Sequence, residues 1–160
     1  SLPSTIVGPI IDEYHFERII HWVDEAIHGG ASIVIGGKTI DTAHHLYAPT
    51  FLKNTKRDMK VVCEEVFGPV AIVEKVKNFS TAIEKTNDSV YGLQAGVFTQ
   101  NIQNMKLAFS ELEVAEVMIN NIPGFRVDGM PYGGIKDSGF GREGPKYAME
   151  EMSESKLLVW

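Results

Sequence analysis

Residues 12–35 spell out a helix, a turn and a strand, and that order constrains the chain more than any other stretch. Asp12 is a helix-capping residue type, and Phe16, Ile19, Ile20, Val23 and Ile27 follow at the spacing of one apolar helical face. Gly29-Gly30 supplies a left-handed turn that ends the helix. Residues 31–35 then read as a short strand closed by Gly36-Gly37.

The alternation continues to the end. A polar loop through His44-His45 leads to residues 47–52, which are extended around Pro49 and fit an edge or entry segment; residues 54–60 are charged and loop-like, and residues 70–76 are rich in β-formers. Ser80 is expected to cap a helix running to about Thr86, broken by Asn87-Asp88-Ser89. Residues 94–99 read as a strand, and Ile102, Met105, Ala108 and Phe109 as a second amphipathic helix. Val117-Met118-Ile119 is a compact strand ending at Asn120-Asn121. From there to Gly144 the chain is rich in Gly, Pro and Asp, and loops of that length are usually functional. Residues 147–152 fit a last helix and residues 156–160 a terminal strand, an exposed edge unless another chain covers it.

Strands alternating with helices of about ten residues indicate an α/β layered fold with a mainly parallel sheet and sites on loops beyond the strand ends. With 160 residues and 44% hydrophobic composition, a single domain can build a core. A net charge of -6 argues against nucleic acid as the main partner, because phosphate binding needs surplus Lys and Arg. No apolar run approaches the roughly 20 residues that cross a bilayer, so no membrane partner is expected, and no leader is expected either. One cysteine cannot form an internal disulfide, which fits a reducing, cytoplasmic setting.

That cysteine opens the stretch Cys63-Glu64-Glu65-Val66-Phe67-Gly68-Pro69. Cys63 as a nucleophile would need a lowered pKa, yet two carboxylates follow it and disfavour the thiolate. It reads as an inert neighbour. Glu64 and Glu65 as an acid–base pair would have to converge, but adjacent residues of an extended segment point apart. One of them in a cleft, holding sugar hydroxyls, is a more economical role; two surface charges before a turn is the plain alternative. Gly139-Phe140-Gly141-Arg142-Glu143-Gly144 has the spacing of a dinucleotide-binding turn but lacks the apolar strand before it and the acidic residue after it, so it is rejected as a phosphate cradle. His15, His21, His28, His44 and His45 show no metal-ligand spacing, and His21 with Glu25 reads as a surface pair.

Two stretches together carry a resemblance. Glu64-Glu65-Val66-Phe67-Gly68-Pro69 and the run from Pro131-Tyr132-Gly133-Gly134 through Gly141-Arg142-Glu143 resemble two late signatures of the NAD(P)-dependent aldehyde dehydrogenases. Val7-Gly8-Pro9-Ile10-Ile11-Asp12, Asn87-Asp88-Ser89-Val90-Tyr91-Gly92-Leu93 and Ala95-Gly96-Val97-Phe98-Thr99 are similar to the same family, in the same order. The resemblance implies a three-layer α/β/α catalytic domain, here partial. Residues 1–154 would be its C-terminal part and residues 155–160 the start of an oligomerisation strand.

It further implies that Glu65 holds the nicotinamide-ribose hydroxyls of NAD or NADP and that Phe67 packs beside the ribose and nicotinamide. Asn120 and Tyr132 would line the substrate pocket, and Gly133 to Glu143 would fold as a structural loop. The nucleophilic cysteine, the general-base glutamate and the main cofactor domain would lie outside this chain, so Cys63 is not the nucleophile. The complete enzyme would be an oxidoreductase turning a small-molecule aldehyde into an acid through a cysteine thioester, as a homo-oligomer, while the fragment alone is expected to be inactive. Arg126, just before the pocket aromatic, offers a planar fork for an anionic or hydroxyl group on the aldehyde; pairing with Asp128 is its simpler role. A non-catalytic binding or assembly module derived from the family is the alternative.

Overall fold

The first helix begins where its capping residue puts it. In the computed structural model, which describes residues 4–160, Asp12 stands extended before α1 (Glu13–His28), and its carboxylate accepts the His15 amide at 2.8 Å. Phe16, Ile19, Val23 and Ala26 form the buried stripe of α1, with Ile20 and Ile27 half-buried beside it. The left-handed residue that releases the chain is Gly30, at φ +108°.

Four strands follow: β1 (Ser32–Ile35), β2 (Thr39–Asp41), β3 (Leu46–Tyr47) and β4 (Thr50–Lys53). The pair β2–β3 is a small antiparallel hairpin around His44-His45, where the sequence suggested only a polar loop. Strands this short leave no alternation to read. In β4, Thr50 and Leu52 are buried while Phe51 and Lys53 are exposed, the period-2 pattern of a strand with one face on a core. Thr50 satisfies its buried hydroxyl twice, donating to the Ala48 carbonyl at 2.7 Å and accepting the Gly37 amide at 2.8 Å. Gly36, at φ +79°, passes so close to the Pro49 carbonyl that any Cβ would collide with it.

A single-turn helix, α2 (Lys60–Cys63), begins at the last residue of the charged, loop-like stretch, and its Val61 turns in to the core. After it comes β5 (Val70–Ile72), shorter than the β-rich run suggested. The sheet order is β1-β4-β5, antiparallel then parallel. Ile19, Val23 and Leu52 are fully buried where α1 meets the sheet, each such side chain contributing roughly 1.5–3 kcal/mol by its removal from water.

A second compact unit starts at Val76, the first ending at Lys75. It opens with α3 (Phe79–Asn87), capped by Asn78 rather than Ser80: Asn78 is extended and its side-chain oxygen accepts the Thr81 amide at 2.9 Å. Ser80 lies inside the first turn, two residues too late to reach that donor. The short β6 (Tyr91–Gly92) leads to β7 (Gln94–Val97), α4 (Ile102–Glu111) and β8 (Glu116–Ile119), with β7 and β8 parallel in register. Ile83, Val97 and Ala108 are buried in this unit.

Within residues 120–144, β9 (Ile135–Lys136) pairs antiparallel with β6, and a bridge joins Tyr132 to Glu143, so the long segment is partly ordered by pairing. The last helix, α5 (Pro145–Glu151), starts at a proline, which suits a first helical position. Residues 156–160 form no strand in the single chain, and Leu157, Leu158, Val159 and Trp160 are strongly exposed. A strand needs a neighbour for its amides and carbonyls, and none lies beside it among the described residues. The α/β class is as expected, with mixed sheets: β1 and β4 are joined through a hairpin, which returns the chain antiparallel, whereas β7 and β8 are joined by a helix, which allows parallel pairing.

Candidate functional site

In the first unit the carboxylate-rich stretch forms a corner clamped onto α1. Glu64 leaves α2 in an extended conformation, and Glu64, Glu65 and Phe67 are all exposed. Arg18 of α1 donates from Nη2 to the Val66 carbonyl at 2.6 Å and, more weakly, from Nη1 to the Glu65 carbonyl at 3.5 Å. The same guanidinium lies 4.3 Å from the centre of the Trp22 ring. One residue past the corner, a Cβ at Gly68 would collide with Cδ1 of the fully buried Ile19, and the Pro69 carbonyl accepts the Thr50 amide of β4 at 2.8 Å.

Between these two anchors Phe67 sits at φ +48°, a left-handed conformation that side chains disfavour. The residue is 72% exposed and borders an open groove of about 630 Å³ whose walls include Val7, Ile10, Ile11 and His15. Among the described residues the Glu65 carboxylate makes no hydrogen bond or ion pair, so both its oxygens remain acceptors. An open carboxylate two residues before an exposed ring can accept hydrogen bonds from the hydroxyls of a ligand.

Cys63 ends α2, at the helix terminus that does not favour a thiolate. It is exposed, and its Sγ lies 3.8 Å from the Asp58 carbonyl. His15 Nδ1 is 2.7 Å from the Asp12 carboxylate, and the His15 amide and then its ring hold the Asp12 pKa below its usual 3.8. His21 and Glu25 face each other at 3.8 Å on the surface. Among the described residues no group of three or more His, Cys, Asp or Glu is placed to hold a metal, and no helix is long and apolar enough to cross a membrane.

In the second unit three expected pocket residues behave differently. Arg126 and Tyr132 come together: the guanidinium lies 4.4 Å from the Tyr132 ring centre. Arg126 pairs with Glu143 at 2.7 Å rather than with Asp128, because the Tyr132–Glu143 bridge brings Glu143 beside the ring. Only one of its nitrogens is engaged among the described residues, so donors remain. Asn120 is occupied otherwise, at φ +54° with its side-chain oxygen accepting the Thr99 amide at 2.8 Å.

The glycine-rich segment is stitched down by side chains. Lys136 Nζ caps the end of α3, donating to the Asn87 carbonyl at 3.0 Å and the Ser89 carbonyl at 3.1 Å, and pairs with Glu113. Ser138 Oγ accepts the Gly92 amide at 2.9 Å, and the Arg142 amide donates to Glu151 at 3.0 Å.

Arg18 and Gln94, which donates to the Phe125 carbonyl at 3.2 Å and so steadies the Arg126 loop, were missed by sequence reasoning. The Arg18/Trp22 spacing of i, i+4 was a usable sign of a stacked pair; nothing marks Gln94 in advance.

Residues 1–158 match the model of the aldehyde dehydrogenase family. The chain is 48% identical to 3-sulfolactaldehyde dehydrogenase of Priestia aryabhattai over 156 residues, covering 98% of this chain and 32% of that protein. Its structure is similar to aldehyde dehydrogenase 21 of Physcomitrella patens in complex with the reaction product succinate, with TM-score 0.93 and 39% identity over 99% of this chain and 32% of that one. It is also similar to betaine aldehyde dehydrogenase of Staphylococcus aureus in complex with NAD+, with TM-score 0.86 and 36% identity over 94% of this chain and 30% of that one. The chain therefore spans about a third of the length of these relatives.

Proposed function

The chain belongs to the aldehyde dehydrogenase family, and on that premise we propose that it is part of an enzyme oxidising a small aldehyde to an acid with NAD+ or NADP+ through a cysteine thioester. Residues 1–154 are then the C-terminal part of the catalytic domain, and residues 155–160 the start of an oligomerisation strand whose exposed apolar side chains a second copy would cover. The nucleophile, the general base and the main cofactor domain belong to parts of the enzyme outside these residues, and the chain alone is inactive. The assembled enzyme is a cytoplasmic homo-oligomer.

The observation that carries this reading is the Glu65–Phe67 corner, with an open carboxylate beside a ring held out at φ +48°. The dinucleotide, when bound, supplies the hydride acceptor. Glu65 accepts hydrogen bonds from its ribose hydroxyls, and Phe67 packs beside the ribose and nicotinamide, so the pair fixes the orientation that the reaction needs. Asn120 and Tyr132 line the substrate pocket, with Asn120 shaping its turn.

Arg126, stacked on Tyr132 with donors to spare, binds an anionic or hydroxyl group on the aldehyde. Two relatives support that substrate class: one is named for sulfolactaldehyde, which carries a sulfonate and a hydroxyl, and the other holds the dicarboxylate succinate.

Single-turnover kinetics of Glu65→Gln in the full-length enzyme test the reading. Hydride transfer should slow about tenfold, the weight of a charge-assisted hydrogen bond. An unchanged rate would overturn the assignment of Glu65.

A further inference from the structure

We propose that Arg18 is the positioning residue of the dinucleotide site: it holds the Glu65–Phe67 corner in the conformation that receives the nicotinamide ribose. The inference rests on the cofactor reading of Glu65 and Phe67 given above.

The corner is pinned from two sides. Before Phe67, the Arg18 guanidinium takes the Val66 carbonyl at 2.6 Å and leans on the Glu65 carbonyl. After it, Gly68 is pressed against Ile19, which leaves no room for a Cβ. Phe67 between them is held left-handed, against its own preference, so the loop keeps that shape only while both pins hold. The Gly68 pin is steric and sits on the next residue of the same helix. The Arg18 pin is directional: its donors meet the Val66 and Glu65 carbonyls and so help set where those peptide planes point.

Trp22 makes the pin rigid. The guanidinium stacks on its ring at 4.3 Å, one helical turn along α1, which sets the plane from which the two donors project. Arg18 reaches backbone carbonyls and not the Glu65 carboxylate, so it leaves that carboxylate free for ligand. Its influence therefore travels through loop shape to the dinucleotide and not to the aldehyde.

The test uses the full-length enzyme with Arg18→Gln, Arg18→Lys and, as reference, Glu65→Gln. NADH affinity is measured by fluorescence titration, alongside KM for dinucleotide and for aldehyde and the melting temperature. Arg18→Gln should weaken NADH binding about tenfold, the order expected for a charge-assisted hydrogen bond, with aldehyde KM within about twofold of wild type. Arg18→Lys, which keeps the charge but loses the flat fork, should fall between them.

If Glu65→Gln weakens binding and Arg18→Gln does not, the positioning role fails while the cofactor reading stands. If Glu65→Gln binds NADH as wild type does, the cofactor reading fails and the inference with it. Equal losses for dinucleotide and aldehyde with a lowered melting temperature would make Arg18 merely structural and overturn the inference. Should Arg18→Gln not fold, Arg18→Lys decides: weakened NADH binding supports the role, and wild-type affinity overturns it.

Discussion

Arg126 holds its charge 4.4 Å from the Tyr132 ring and against one oxygen of Glu143, with both members of the ion pair about half exposed. An exposed pair of this kind contributes little to stability, so its value lies in what else the guanidinium can bind. Arg126→Ala in the full-length enzyme should lower kcat/KM about tenfold for an aldehyde bearing a carboxylate or sulfonate and leave an uncharged aldehyde nearly unaffected. Equal losses on both would remove Arg126 from substrate recognition. The residue type and its place before Tyr132 were legible in the sequence, but its partner was not. Asp128 is two positions away along the chain, whereas Glu143 arrives through a backbone bridge that spacing alone does not reveal.

At the level of elements, α1 was legible almost to the residue because cap, apolar period and terminating glycine all agree. The α3 cap was misplaced because Asn78 and Ser80 are both capping types, and only the backbone decides which oxygen meets a free amide. The hairpin β2–β3 and the helix α2 were invisible for a different reason: elements of two to four residues carry too few side chains to show a period.

The α1 cap also makes a pH prediction. The Asp12 pKa is lowered in the folded chain, so the cap's contribution is complete above the usual value of 3.8 and is lost as pH falls through the lowered folded value. Protection of the His15 and Phe16 amides from hydrogen exchange should drop across that acidic window in the wild type. Asp12→Asn, which caps without titrating, should show no such step. A step that survives the substitution would place its source elsewhere.

For the whole molecule, the order of the motifs made the family legible, while the pairing sense of the strands was not. Helices and hairpins both separate strands, and only tertiary contacts show which returns the chain parallel. The single cysteine bears on activity at this scale. Cys63 stands at the wrong end of a short helix with two carboxylates after it, so the 160-residue chain alone should show no NAD(P)+-dependent aldehyde oxidation. In the full-length enzyme, Cys63→Ser should retain near wild-type turnover. Thioester formation abolished by that substitution would return the nucleophile to this segment.

Phe67 and Gly68 stand in the reverse of the order that backbone comfort alone would select. The bulky residue takes the left-handed conformation that glycine tolerates, while the glycine sits next door, kept small by Ile19 rather than twisted by φ. A directed-evolution campaign scored only on heat resistance would accordingly drift toward Gly or Asn at 67. It would enrich sturdier variants from which the ring proposed to pack beside the nicotinamide had been bred out.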